Sequence, residues 1–88
     1  MEAQNITTVF DTNTHQVIGS RYERSMYETS EQMLADFKND LELQSKTYGG
    51  AVDMFAVIVR DKDNVKSKAF VGEIDKEKIL GYVENLLK

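Results

Sequence analysis

Residues 54–59 read Met-Phe-Ala-Val-Ile-Val, six consecutive apolar positions. The run is short for a helix and rich in β-branched and aromatic groups, so it is read as the heart of a strand spanning 52–60. Successive side chains of a strand point to opposite sides. Phe55, Val57 and Val59 therefore face one way, and Met54, Ala56 and Ile58 the other. A half-buried strand alternates apolar with polar, and this one does not. It must be covered on both faces, and the rest of the chain decides what is left to cover it.

Two strands open the chain. Ile6-Thr7-Thr8-Val9-Phe10 has strand composition, Asp11-Thr12-Asn13-Thr14 is a polar turn, and His15 to Tyr27 alternates as a second, longer strand. In that second strand Ile18, Ser20, Tyr22, Arg24 and Met26 share one side. Thr29-Ser30-Glu31-Gln32 fits a capping box, and Met33, Leu34, Phe37 and Leu41 recur at helical spacing up to Gly49-Gly50. Past the apolar strand, Asp61 to Asn64 forms a polar turn and 65–72 a further alternating strand. Asp75 then caps a final helix with Ile79, Leu80, Val83, Leu86 and Leu87 as its buried stripe.

The expected fold is α+β, in the order β-β-α-β-β-α: a four-stranded, mainly antiparallel sheet with two helices on one face. Eighty-eight residues make one domain, 1–88, with 5–50 and 51–88 as candidate halves of an internal repeat. Glu31 to Leu41 aligns with Glu77 to Leu87, matching glutamate, leucine, asparagine and leucine, although the strands align poorly. Two helices cover one face of the sheet. The other face of the apolar strand then calls for a second subunit, with Tyr22, Met26, Met54, Ala56 and Ile58 as its expected interface, the alternative cover being a loop or the amino-terminal segment folded over it.

Charge and chemistry restrict function further. The net charge is −4, distributed as −2, −3 and +1 over residues 1–30, 31–59 and 60–88. A surplus of acid repels phosphate backbones unless bases cluster on one face. The one local excess is the 60–68 hairpin, and Lys66 and Lys68 there also suit an edge strand that discourages strand pairing. A nucleic-acid reading would rest on Arg21, Arg24, Lys62, Lys66 and Lys68.

Cysteine is absent, which excludes disulfides, thiolate metal sites and a cysteine nucleophile. The single histidine, His15, falls at a turn, away from any orienting acid and nucleophile. Asp36 and Asp40 lie one helical turn apart, but no calcium-loop signature accompanies them. Glu28 and Glu31 suit the positive end of the helix dipole. Gly49-Gly50 precedes a strand rather than a helix and is no phosphate loop. The serines lack a nucleophile elbow, and the Asn5-Ile6-Thr7 sequon matters only in a secreted chain.

No catalytic residue, metal ligand or cofactor-binding residue is expected, and no cofactor. Residues 1–5 show neither the basic nor the apolar region of a signal peptide, so the expected location is cytoplasmic. The function expected is that of a small acidic, non-enzymatic protein acting through protein–protein binding, as a homodimeric regulator, adaptor or inhibitor. Its expected partners are a second copy of itself and another protein. Neither nucleic acid nor membrane is expected.

Overall fold

The computed structural model describes residues 2–48, 50–72 and 74–87. An antiparallel hairpin of Asn5–Thr12 (β1) and Val17–Glu23 (β2) leads through a single 3-10 turn, Arg24–Met26, into the helix Ser30–Tyr48 (α1). A second antiparallel hairpin, Val52–Asp61 (β3) and Asn64–Val71 (β4), precedes the helix Lys76–Leu87 (α2). The strands form one sheet in the order β2-β1-β3-β4, with every neighbouring pair antiparallel. The α+β architecture expected from the sequence is the one found.

β3 is central, a place in the sheet that its composition left open, and its partner at the centre is β1. Their register pairs Ile6 with Val59, Thr8 with Val57 and Phe10 with Phe55. These six side chains are buried and lie on the side that both helices cover. Met33, Phe37 and Leu41 of α1 and Ile79 and Val83 of α2 join them in one core. Phe10 packs against Phe55 and Tyr48, with ring centroids 6.0 Å and 5.3 Å apart. Buried threonines among the apolar groups need partners for their hydroxyls. Thr8 Oγ1 accepts from the Ser20 amide at 3.2 Å, and Thr12 Oγ1 accepts from the Gln16 amide at 3.2 Å.

Helix starts follow the expected chemistry, with one variation. The Gln32 amide donates to Thr29 Oγ1 at 3.2 Å, while the Gln32 side-chain oxygen accepts from the amide of Glu28, one residue before the cap. For α2, the Lys78 amide donates to Asp75 Oδ1 at 3.2 Å. Gly49, half of the expected helix stop, lies outside the described residues. Ala51 donates its amide to the Tyr48 carbonyl at 2.8 Å where the chain leaves α1.

The second strand is where the expectation fails. It ends at Glu23, not Tyr27, and with seven residues it is shorter than the eight of β1. The Arg24 amide bonds the Gln4 carbonyl, and its guanidinium then turns the chain. That group donates to the carbonyls of Tyr27 at 2.6 Å and Glu28 at 3.0 Å, and to Ser30 Oγ at 3.2 Å. Three donations into the following loop bend it toward α1, so the alternating pattern past Glu23 belongs to a turn. The first hairpin loop is also displaced: β1 runs through Thr12, and His15 takes a left-handed conformation, φ 63°.

Candidate protein-binding face

The strand registers place a second set of side chains on the side of the sheet away from the helices. Reading from β2 to β4, they form four rows: Val17, Asp11, Met54, Val71; Gly19, Val9, Ala56, Ala69; Arg21, Thr7, Ile58, Ser67; and Glu23, Asn5, Arg60, Val65. The second row is small and apolar across all four strands. Val71 is 87% exposed and Val17 71%. Met54, Ala56 and Ile58 are only half-buried, each by its neighbours within the sheet. No element of the described chain covers them.

Gly19 belongs to this surface for a steric reason. A Cβ there would lie 2.5 Å from the Thr8 carbonyl oxygen of the neighbouring strand, closer than real Cβ contacts come. β2 and β1 approach this tightly because position 19 has no side chain.

Of the expected interface residues, Met54, Ala56 and Ile58 are brought together on this face. Tyr22 is not: it sits opposite Ile6 on the helix-covered side, buried under α1. Its ring meets Phe37 edge-on at 5.7 Å, and its hydroxyl donates to Asp40 Oδ2 at 2.7 Å. Burial, and then the bond to Asp40, push the Tyr22 phenol well above its ordinary pKa. Met26, 73% exposed, lies in the turn beyond the end of β2 and is off the sheet. The sequence misplaced Met26 by extending the alternation of β2 too far, and Tyr22 by assigning its side of β2 to the uncovered face, whereas α1 covers that side.

Charges on the face are few and ordered. Arg21 Nε pairs with Glu23 Oε1 at 3.0 Å on the surface of β2. Among the described residues the remaining ion pairs are Lys76–Glu42 and Lys78–Asp75, so Asp11 and Arg60 take part in none. Asp11 stands at one end of the face, with a buried Oδ1 that accepts no hydrogen bond. Arg60 stands at the other end, beside a shallow cavity of about 220 Å³ lined by Asn5, Thr7, Arg21, Ile58 and Arg60. Nothing local in the sequence marks Asp11 and Arg60 as the two ends of one surface; the β1–β3 register does.

The other candidates resolve into structure. Asp36 accepts from the Tyr27 hydroxyl as Asp40 does from Tyr22, so both helix acids point at tyrosines. The bond to Asp36 is the main cause of a Tyr27 phenol pushed up to about 12. No group of three or more metal-ligating side chains occurs among the described residues. Among the described residues no helix is long and apolar enough to cross a membrane.

The five bases of the nucleic-acid reading do not share a surface. Arg21 lies at the β2 edge on the uncovered face, whereas Lys66 and Lys68 lie at the β4 edge on the helix side. Arg24 is occupied in the turn before α1. Lys62 sits in the second hairpin turn, and the Lys68 ammonium rests over the rings of Phe70 and Tyr82 at 5.4 and 5.5 Å. That stack lines a groove of about 700 Å³ between β4 and α2, together with Lys78 and Asn85. The groove is open, and the charge nearest its aromatic floor is already engaged.

No protein-family model matches the chain, and neither a curated protein nor a solved structure does.

Proposed function

We propose that this chain is a small, non-enzymatic protein-binding module that works as a homodimer through the uncovered face of its sheet. The observation that carries the reading is the second row of that face, Gly19, Val9, Ala56 and Ala69, flanked by Met54, Ile58, Val17 and Val71. A flat apolar surface on a chain of net charge −4 resists solvation and attracts a matching surface. Four strands about 4.8 Å apart, each about 23 Å long, give a footprint on the order of 450 Å². Two copies face to face bury on the order of 1,000 Å², the lower bound for a specific interface and consistent with a reversible dimer.

Self-association through an edge is disfavoured on the β4 side. An antiparallel β4–β4 pairing about a two-fold at Ser67 would bring Lys66 of each chain against Lys68 of the other. The face has no such penalty. A dimer of this kind suits a regulator, adaptor or inhibitor that presents its helices and loops to another protein, and an acidic, cysteine-free composition fits a cytoplasmic setting.

Light scattering on the purified chain at tens of micromolar tests the reading. A mass of twice 10.1 kDa that falls on dilution supports it, and 10.1 kDa throughout ends it. Ile58→Asp is expected to give a folded monomer.

A further inference from the structure

Two arrangements place one copy of the face on another with two-fold symmetry and the strands aligned. In one the axis runs along the strands; in the other it crosses them. With the axis along the strands, each row meets itself reversed, and Asp11 lies over Met54 of the second copy. Asp11 then gains no donor from the second copy, and its buried Oδ1, which accepts no hydrogen bond within its own chain, stays unpaired. With the axis crossing the strands, the rows exchange ends. Residue 11 then lies over residue 5, 54 over 60, 56 over 58, and 65 over 71.

We infer that the second copy docks about the crossing axis, so that Asp11 of each chain enters the cavity of the other between Arg60 and Arg21. This rests on the homodimer reading above and specifies its geometry. Three independent features agree with it. The acid and the basic cavity stand at opposite ends of the same apolar face, as an isologous contact requires. The cavity is lined by Asn5 and Thr7, which offer an amide and a hydroxyl, by Arg60, and by Arg21, whose Nε is already paired with Glu23. In the two middle rows small residues oppose large ones, Ala56 against Ile58 and Gly19 against Arg21, which lets the faces approach there, while Met54 lies over Arg60 at the ends. Within one chain the two charges cannot meet: Arg60 pairs with Asn5, and Asp11 is six residues, about 20 Å, further along β1.

A charge swap between chains tests this. Asp11→Arg gives a chain with two basic ends, and Arg60→Asp one with two acidic ends. Each alone is expected to dimerise roughly tenfold more weakly or worse, because every self-contact becomes repulsive twice over. An equimolar mixture is expected to recover a dimer at wild-type concentrations, since both contacts between unlike chains are again of opposite charge. The neutral variants Asp11→Asn and Arg60→Gln, which carry no reversed charge into the fold, are expected to weaken the dimer in the same direction by less. Circular dichroism of each variant confirms that the fold is intact.

If the wild-type chain is monomeric, the homodimer reading fails and this geometry with it. If the wild-type chain dimerises but the two charge-reversed variants dimerise equally well, or their mixture recovers nothing, the homodimer reading stands and the crossing axis is overturned.

Discussion

Val57 and Ile58 are neighbours in sequence, alike in size and hydrophobicity, and they live in different worlds. Val57 is wholly buried between the sheet and the helices, whereas Ile58 lies half-covered on the side the helices never reach. The helix-covered side contains Ile6, Phe10, Phe55 and Val59 with five helix residues packed onto them. Across the sheet, the same strands carry small apolar groups bordered by Asp11 and Arg60. The first surface is complete within one chain and answers to stability. The second is left uncovered by the described chain, and under the proposed function it answers to association.

The largest expected effect separates the two directly. Val57→Asp buries a carboxylate with no partner, at a cost of several kcal/mol. Against a total stability of roughly 4–13 kcal/mol for 88 residues, it is expected to unfold the chain or bring it to the edge of unfolding. Ile58→Asp is expected to leave the far-ultraviolet circular dichroism unchanged. A chain unfolded equally by both substitutions would show that the uncovered face is part of the monomer's core.

Gly19→Ala probes the limit of that tolerance. It adds one methyl to the uncovered face, yet that methyl meets the Thr8 carbonyl at 2.5 Å. The β1–β2 ladder must shift to admit it, with an expected loss of about 1–3 kcal/mol in denaturant unfolding. Ala56→Gly, in the same row, removes a methyl that clashes with nothing and is expected to cost less, about 1 kcal/mol. Equal losses would mean that position 19 carries no special constraint.

On the covered side, Tyr22→Phe leaves the Asp40 carboxylate without its phenol donor and is expected to cost about 1–2 kcal/mol at neutral pH. The pH dependence has a definite sign. Both tyrosine phenols are held neutral above their ordinary value of 10, Tyr27 up to about 12 and Tyr22 further. A raised folded-state value stabilises the native chain fully below pH 10, and that contribution is lost as pH rises through the folded value. Wild-type stability is therefore expected to fall between pH 10 and 12 as Tyr27 titrates, and to go on falling above that as Tyr22 does. Combining Tyr22→Phe with Tyr27→Phe should flatten that part of the curve. An unchanged slope in the double variant would assign the alkaline loss elsewhere.

The smallest effect belongs to a residue on neither face. Thr29→Ala removes the side-chain acceptor at the start of α1 and is expected to cost about 1 kcal/mol, read as a small drop in melting temperature. It should leave the oligomeric state untouched. A change in mass with this variant would couple the helix layer to the interface and blur the division between the two faces.

Much of this architecture was legible in the residues themselves, because the relevant forces are local. Period-two and period-3.6 patterns, Thr29 and Asp75 as caps, and polar turns between apolar runs each act within a few positions of the chain. The six-residue apolar run also announced that one strand is apolar on both sides, since alternation is a property of the backbone. The same local reasoning failed past Glu23. Alternation continues there in sequence, but the Arg24 guanidinium reaches three acceptors in the next loop and bends the chain away from the sheet.

What only the tertiary structure decided depends on pairing across long separations. The β1–β3 register, with both helices on the side of Phe55 and Val59, set Val57 rather than Ile58 beneath the helices. The reach of α1 over β2 put Tyr22 against Asp40 and removed it from the surface where the sequence had placed it. The β1–β3 register set Asp11 and Arg60 at opposite ends of one face, though they are 49 residues apart in the chain. Composition by itself determined that β3 is apolar on both of its faces. Register, which a one-residue slip would reverse, determined which of those faces the helices leave uncovered and where its charges stand.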